Sequence, residues 1–294
     1  MTALARSYLF APGDNERLLG KVFEAGADAV VLDLEDAVAP ERKPQARQLV
    51  ATLLNQPLLN SRGSVPLVYV RINAVTTSFW QEDIAAIVSP ALRGIRLAKA
   101  ESAEEVHAVD AALSKAESLA GIAPGTLTIT ATIESAAGVM AAAEIARAPR
   151  VEAFTFGAAD FARDIGADVD EAETQTLYAR SHLVLASRAA GIRPPIASVY
   201  TRIKDLEGLR ATTEASRRLG FFGRSCIHPS QVSIINEVFT PSAEQVAEAR
   251  EIIAAFEQAM AAGSAAVAMS NGQFVDQPIV ERARAIVALA ARWA

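Results

Sequence analysis

Two carboxylates follow consecutive apolar runs in the middle of this 294-residue chain. Residues 127–133 form a β-branched, apolar run that ends at Glu134, and a second apolar run, residues 151–156, leads through Gly157 to Asp160. Runs of this kind are typical of buried strands. Neighbouring parallel strands are about 4.8 Å apart, and their carboxyl ends meet at one edge of a sheet. We therefore expect the two acids to lie close together.

The paired placement of Glu134 and Asp160 favours a metal site. Two ionised carboxylates at short distance repel each other unless a cation lies between them or one holds a proton. Oxygen ligands suit a hard divalent ion, and Mg²⁺ is commonly held by two carboxylates together with water and substrate oxygens. Taken singly, Glu134 could cap the helix predicted over residues 136–146, and Asp160 could be an ordinary loop residue.

The composition is that of an ordinary globular protein, with 51% hydrophobic and 21% charged residues. A net charge of −6 and the lack of a basic run argue against nucleic acid as a partner. No apolar stretch reaches about 18 residues, so we expect no membrane span and a soluble, cytoplasmic protein. The single cysteine, Cys226, excludes an internal disulfide and a thiolate-rich metal site, and we expect it in the core.

Eight strand-like runs alternate with helical runs over about 230 residues, which predicts a (β/α)₈ TIM barrel. The predicted strands cover residues 7–11, 28–34, 67–72, 94–98, 127–133, 151–156, 195–199 and 223–227. One of the helical runs covers residues 171–190. We assign residues 1–240 to the barrel and residues 241–294 to a C-terminal helical extension, with helices predicted over residues 242–262 and 280–293. Eight units do not require this extension, so it is either a structural cap or a lid that carries a residue into a site.

Polar residues end most of these strands and indicate an active site at the carboxyl end of the barrel, where this fold builds its sites. They are Glu35, Asp36, Arg71, Lys99, Glu134, Asp160 and His228. A lysine at such a position could form a Schiff base. A metal held by the carboxylate pair is an alternative to a Schiff base for activating the substrate, so we interpret Lys99 as an electrostatic or structural partner.

These residue types suit the cleavage of a carbon–carbon bond that leaves an enolate. A divalent metal would polarise the oxygens of a 2-hydroxy or 2-oxo acid, and Arg71 would face the developing enolate oxygen without losing its charge. A carboxylate such as Asp276, in the tail, could transfer the proton. Arg17 and Lys21 share one helix face, which suits a phosphate group and equally suits a solvated basic surface.

The chain resembles the citrate lyase β-subunit-like branch of the HpcH/HpaI aldolase family, which includes malyl-CoA and citramalyl-CoA lyases. The matching segments follow the family's order over nearly the whole chain. They are SYLFAPGDNERLL, DAVVLDLEDAVAPERKPQAR, VRINAVTT, IRLAKAES, IESAAGV, FGAADFARDIG, CIHPSQV and GQFVDQPIVERAR.

The resemblance implies roles for the acids and the arginine at the strand ends. Glu134 and Asp160 match the two Mg²⁺ ligands of the family. Arg71 matches the arginine that clamps the substrate carboxylate or the acyl carbonyl. Glu35 and Asp36 match acids that hold metal-bound waters and that arginine.

The resemblance also implies a site for a coenzyme A thioester. Phe10, Arg17 and Lys21 lie where some members carry an aromatic and two basic residues that touch the CoA nucleotide. Ile227 and His228 match the segment that borders the thioester arm.

By the same resemblance, Asp276 acts as the acid–base group in the site of a neighbouring subunit, within a homotrimer or a dimer of trimers. The implied reaction cleaves or condenses a malyl-CoA or citramalyl-CoA type thioester, giving acetyl-CoA and a 2-oxo acid. Alternatives are a lyase subunit that acts on citryl-acyl-carrier protein, a thioesterase that uses the same site, and a non-catalytic barrel that serves as a partner protein.

Overall fold

Seven parallel strands form a curled sheet in the computed structural model, which describes residues 4–56, 66–168, 173–269 and 272–293. The strands are β1 (Ser7–Pro12), β2 (Ala29–Asp33), β3 (Leu67–Ile72), β4 (Gly94–Leu97), β5 (Thr128–Ile133), β6 (Val151–Phe156) and β7 (Arg224–Cys226). Their order in the sheet is β6-β5-β4-β3-β2-β1-β7. The apolar runs that predict these strands are mostly buried, as expected for parallel strands covered by helices.

Helices connect the strands along residues 4–239. They are α1 (Glu16–Lys21), α2 (Lys43–Leu54), α3 (Trp80–Ile87), α4 (Ala103–Leu119), α5 (Ala136–Met140), α6 (Ala142–Ile145), α7 (Ala158–Ile165), α8 (Leu177–Ala190), α9 (Leu206–Leu219) and α10 (Val232–Phe239). Local signals fix their ends. Ser102 caps α4 by accepting a hydrogen bond from the Glu105 amide, and Gly220 ends α9 in the left-handed region at φ 110°.

The predicted seventh strand, residues 195–199, is not a regular strand, and this corrects the expectation of eight. Ile196 and Ala197 instead form isolated parallel bridges to Thr155 of β6 and Arg224 of β7. We call these two residues the seam, because they link the two edges of the sheet. Prolines at positions 194 and 195 lack the amide hydrogen that a longer ladder would need.

Buried charges occupy the amino-terminal end of the sheet. The Glu152 carboxylate accepts hydrogen bonds from the Tyr69 hydroxyl at 2.9 Å and from Arg93 Nη2 at 3.0 Å, and it pairs with Arg193 Nη2 at 2.5 Å. A buried carboxylate is stable only when it is paired in this way. An apolar cluster packs inside the sheet and consists of Ala5, Tyr8, Ala29, Val31, Tyr69, Ala153 and Ile196.

Several helices differ from their predicted bounds. The helix predicted over residues 136–146 divides at Ala141 into α5 and α6. The helices α7 and α10 were not predicted. The helix predicted over residues 171–190 is α8, and residues 171 and 172 lie outside the described part of the chain.

Residues 237–294 form a second compact unit, separate from residues 1–236. It contains α11 (Ala243–Ala261), α12 (Gln277–Ala290) and a short antiparallel pair, β8 (Val267–Ala268) and β9 (Phe274–Val275). Its own core consists of Ala249, Ile252, Phe256, Val275, Val280 and Ala283. The predicted last helix, residues 280–293, begins earlier, because Pro278 suits the first turn of a helix. Among the described helices, none is both long and apolar enough to span a bilayer.

Candidate active site

Arg71 is held by acids at the carboxyl end of the sheet. Its Nε and Nη2 donate to the two oxygens of Asp33, at 2.7 and 2.6 Å, and its Nη1 lies 2.9 Å from Glu35 and 3.7 Å from Asp36. Burial opposes the charge of Arg71, but the hydrogen bonds and the charge of Asp33 outweigh it and raise the pKa of the guanidinium. Arg71 is therefore a fixed cation with a fixed orientation.

Lys99 connects the acids of two strand ends. Its ammonium group lies 2.5 Å from Glu35 and 3.5 Å from Asp36, and its backbone N–H donates to Glu134 Oε1 at 2.9 Å. Burial alone would lower the pKa of Lys99, but the hydrogen bond to Glu35 outweighs it and raises the pKa. A Schiff-base lysine needs a neutral amine, so the structure favours an electrostatic role for Lys99.

The backbone of Lys99 is unusual in a way that serves this contact. Lys99 has φ 50°, in the left-handed region that non-glycine residues rarely occupy. This conformation turns the amide toward Glu134 while the side chain pairs with Glu35. Backbone strain of this kind persists where the surrounding contacts hold it in place, and it is common at functional sites.

Glu134 and Asp160 follow neighbouring strands, as predicted. Glu134 comes directly after β5, and Asp160 lies in the first turn of α7, after β6, so it is not a loop residue. Glu134 does not cap α5, because Ser135 is the N-cap and accepts a hydrogen bond from the Gly138 amide at 3.1 Å. Both single-residue interpretations of these acids are therefore wrong.

Glu134 is destabilised as an anion in the absence of a cation. Its side chain is buried, and burial, followed by the charges of Glu35 and Asp160, raises the pKa of Glu134 to about 7 against the opposing hydrogen bond from Lys99. One oxygen of Asp160 lies 2.6 Å from Arg163 Nη2, on the exposed side of α7. A divalent ion near Glu134 and Asp160 would compensate both carboxylates.

Gly157 allows the two strand ends to come together. A Cβ atom at this position would lie 2.5 Å from the Glu134 Cβ and would overlap the Glu134 carboxylate. Only glycine leaves that space open, so the turn between β6 and α7 packs directly against the predicted metal ligand.

The donor set fits Mg²⁺. In the described ranges, no group of three or more His, Cys, Asp or Glu side chains is arranged to hold a metal. The protein would therefore supply the two carboxylates of Glu134 and Asp160, and water or substrate oxygens would complete the coordination, which is the usual arrangement for Mg²⁺.

A cavity of about 850 Å³ opens at this end of the sheet. Eight predicted site residues line it, namely Phe10, Lys21, Asp36, Arg71, Glu134, Asp160, Ile227 and His228. Glu35 and Lys99 lie behind this lining, in contact with Arg71 and Glu134. Arg17 is exposed on α1, four residues from Lys21.

Sequence reasoning missed several polar residues inside the sheet. Asp33, Arg96, Thr132, Thr155 and Ser225 line the cavity. Asp33 was missed because it lies within residues 28–34, which are predicted to form a buried strand. Arg96 carried the same signal as Arg71, which is a charge set among apolar strand residues, and could have been identified from it.

Asp276 occupies the N-cap position of α12 but makes no capping hydrogen bond with its side chain. The structure therefore does not support a role of this carboxylate as the cap of its own helix. Its action in the site of a neighbouring subunit stays a prediction.

Comparison with known proteins identifies close relatives. The family model described as HpcH/HpaI aldolase/citrate lyase matches residues 6–229. The citrate lyase subunit beta of Leuconostoc mesenteroides subsp. cremoris is 38% identical over 98% of this chain and 93% of its own length. The L-malyl-CoA/beta-methylmalyl-CoA lyase of Rhodobacter capsulatus is 37% identical over 97% of this chain and 94% of its own.

Solved structures with the same fold contain magnesium. Protein CitE from Mycobacterium tuberculosis, in complex with magnesium, acetoacetate and coenzyme A, has a TM-score of 0.81 and 31% identity, covering 98% of this chain and 99% of its own. A citrate lyase beta subunit from the same organism, complexed with oxaloacetate and magnesium, has a TM-score of 0.67 and 32% identity, covering 81% and 98%. These similar structures contain magnesium, the metal that the sequence predicts for this chain.

Proposed function

Because the chain belongs to the HpcH/HpaI aldolase/citrate lyase family, we propose that it is a Mg²⁺-dependent carbon–carbon lyase. Its substrate is a 3-hydroxyacyl-CoA thioester of the malyl-CoA or citramalyl-CoA type, and its products are acetyl-CoA and a 2-oxo acid. One observation carries this proposal. The acid pair Glu134 and Asp160 and the fixed cation Arg71 line one cavity, at the carboxyl end of a parallel sheet.

Glu134 and Asp160 would hold the metal, and the metal would polarise the hydroxyl or oxo group and the adjacent carboxylate of the substrate. Glu35 and Asp36 face Arg71 and Lys99, and they would orient water at the edge of the site. These roles use the carboxylates in the ionised state that bound Mg²⁺ favours.

Arg71 would stabilise the charge that develops on the thioester oxygen. When the hydroxyl proton leaves, the carbon–carbon bond pair moves to the acetyl fragment, which becomes an enolate, and the former carbinol carbon becomes the 2-oxo group. Asp33 and Glu35 hold the guanidinium in place before reaction, so no reorganisation is required as charge forms. Protonation of the enolate CH₂ then gives acetyl-CoA.

Asp276 would transfer these protons. Its carboxylate does not cap its own helix, and its segment belongs to the unit of residues 237–294. We assign it to the site of a neighbouring chain in a homotrimer, with that unit acting as the lid of a (β/α)₈ barrel. Lys21, Ile227 and His228 line the cavity and would contact the CoA thioester, while Phe10 contacts Arg71 with its ring, 5.1 Å from the guanidinium carbon.

A citryl thioester on an acyl carrier protein is the second candidate substrate. The relatives named citrate lyase subunit beta, at 32–38% identity, favour it.

The direct test is an assay of carbon–carbon bond formation. The purified chain, with Mg²⁺ and acetyl-CoA, should condense glyoxylate or pyruvate into a 3-hydroxyacyl thioester, measured by chromatography. Chelation of the metal should stop the reaction, and Glu134→Gln should lack it. If neither CoA nor acyl-carrier-protein thioesters react in either direction while Mg²⁺ still binds, the proposed function is wrong.

A further inference from the structure

Arg96 is a buried cation whose charge lacks an acidic partner. It lies in β4 and is 1% exposed, and its Nη1 donates to the Ser225 hydroxyl at 2.9 Å. Its Nε and Nη2 have no hydrogen-bond partner, and within the described residues no carboxylate forms an ion pair with it. Leaving donors of a buried cation unsatisfied is costly.

Several other arginines in the interior of the fold are paired with a carboxylate. Arg71 is paired with Asp33, Arg193 with Glu152, and Arg150 with Glu117. Arg224 also lacks a carboxylate but donates to the hydroxyls of two threonines, Thr212 and Thr213, and it does not line the 850 Å³ cavity. Arg96 differs from all of these because it lines that cavity and has no carboxylate partner among the described residues, whereas Arg71, which also lines it, is paired with Asp33.

The surroundings keep the Arg96 guanidinium in place without neutralising it. The guanidinium carbon lies 4.6 Å from the Tyr8 ring centre and 5.3 Å from that of Phe10. Burial lowers the pKa of Arg96 to about 10, so the group is still a cation at neutral pH. Stacked aromatic rings favour the cation and fix its plane.

Two further hydroxyl groups share this part of the cavity. The Thr132 and Thr155 hydroxyls are buried, line the cavity and have no hydrogen-bond partner. Thr132 lies two residues before Glu134, so both side chains project to the same face of the sheet. An apolar ligand group would leave these hydroxyls and the Arg96 nitrogens unsatisfied, whereas a carboxylate could accept from them.

We propose that Arg96, with Ser225, Thr132 and Thr155, forms a carboxylate subsite separate from the metal ligands and from Arg71. The subsite selects acyl groups and 2-oxo acids that carry a second carboxylate. The subsite rests on the proposed lyase activity, because the first carboxylate and the oxo group of such a ligand are the part assigned to the metal. It favours the second candidate substrate, a citryl thioester, over the malyl and citramalyl types, whose 2-oxo acids carry one carboxylate. The planar fork of an arginine matches a carboxylate in two places.

The test compares two 2-oxo acids that differ by one carboxylate. Binding of freshly prepared oxaloacetate and of pyruvate is measured by calorimetry in the presence of Mg²⁺. The wild-type protein should bind oxaloacetate more tightly. Arg96→Met should weaken oxaloacetate binding by about 10-fold to about 150-fold, the range for hydrogen bonds to charged groups, and pyruvate binding by less than about threefold.

A matched control uses the other uncompensated arginine. Arg224→Met also removes a buried arginine, but outside the cavity, so the preference for oxaloacetate should not change. In the ligand-free protein, Arg96→Met should keep or raise the melting temperature, since a buried charge without a partner destabilises the fold. If Arg96→Met proves too unstable to measure, Arg96→Lys, which keeps the charge but loses the fork, should still weaken oxaloacetate binding selectively.

Failure of the subsite and failure of the proposed function would give different results. If the wild-type protein has no preference between the acids, or if the Arg96 variants keep the full preference, the subsite is wrong and the proposed lyase activity is untouched. If neither acid binds to any of these proteins with Mg²⁺ present, the proposed function fails, and the subsite fails with it.

Discussion

At the scale of single residues, the protonation state of the Glu134 carboxyl group is linked to metal binding. Burial and the charges of Glu35 and Asp160 raise the pKa of this carboxyl group to about 7, from 4.5 for a free group. Between these two values the folded chain holds a proton that the unfolded chain has lost. The metal-free protein should therefore lose the stability contributed by this group as the pH rises from about 4.5 to about 7.

Mg²⁺ should raise the melting temperature, because an ion that binds only the folded state stabilises it by mass action. The ion must displace the proton of Glu134, so its affinity should fall by up to about tenfold per pH unit below pH 7. Thermal shift titrations at pH 6 and pH 8 measure this difference. Glu134→Gln should remove both the Mg²⁺ response and its pH dependence. An unchanged response in Glu134→Gln and in Asp160→Asn would contradict the metal assignment.

Arg71→Lys should lower turnover by at least about tenfold, because a single ammonium cannot replace the fork that bonds to both oxygens of Asp33 and still faces the cavity. Steady-state kinetics measure the loss, and circular dichroism checks the fold. The control is Arg218→Lys, since Arg218 is exposed and, in the part of the chain that the structure describes, its ion pair is with Glu214 one turn away. Near wild-type turnover in Arg71→Lys would return Arg71 to a structural role.

At the scale of secondary-structure elements, the turn between β6 and α7 determines how close Asp160 comes to Glu134. Gly157→Ala should lower Mg²⁺ affinity by at least about tenfold, because the new methyl group overlaps the Glu134 carboxylate and must displace it. Isothermal titration with Mg²⁺ measures the change. Gly20→Ala, in the open space around α1, should leave the affinity unaltered. Equal affinities in the two variants would show that the turn does not position the carboxylate.

The elements themselves were largely predictable, and their side-chain contacts were not. Mostly apolar runs identified β3 and β6 with their full bounds, because strands buried on both faces consist largely of apolar residues. The pairing of Arg71 with Asp33 depends on the register between β2 and β3, which the sequence does not encode locally. Arg96 could have been identified as a charge among apolar strand residues, but its lack of an acidic partner is visible only once its neighbours are known.

At the scale of the whole molecule, the chain divides into one unit that holds the cavity and a second that holds Asp276. In the proposed homotrimer each active site uses both units, from different chains. Asp276→Asn should therefore keep Mg²⁺ binding and lose most of the turnover, the result expected when a proton-transfer group is missing.

Mixing tests the shared site. An Asp276→Asn chain combined in equal amounts with a Glu134→Gln chain should regain up to about a quarter of wild-type activity, because, averaged over randomly mixed rings, half of the metal sites and half of the tails are intact. Each variant alone is the control. If subunits exchange and no activity returns, Asp276 acts within its own chain or has no part in the reaction.

The seam has a consequence for how the curled sheet opens. Among the described residues, two backbone hydrogen bonds join the seam to β6: the Ile196 amide donates to the Phe154 carbonyl, and the Phe156 amide donates to the Ile196 carbonyl. Two more join it to the β7 segment: the Ala197 amide donates to the Gly223 carbonyl, and the Ser225 amide donates to the Ala197 carbonyl. The β5–β6 ladder, in contrast, joins five residue pairs, with one register shift between Ile129 and Thr130. Amide hydrogens of the seam should therefore exchange with solvent through a local opening, faster than those of β5. Because Ser198 and Val199 line the cavity beside the seam, a bound ligand should slow that exchange.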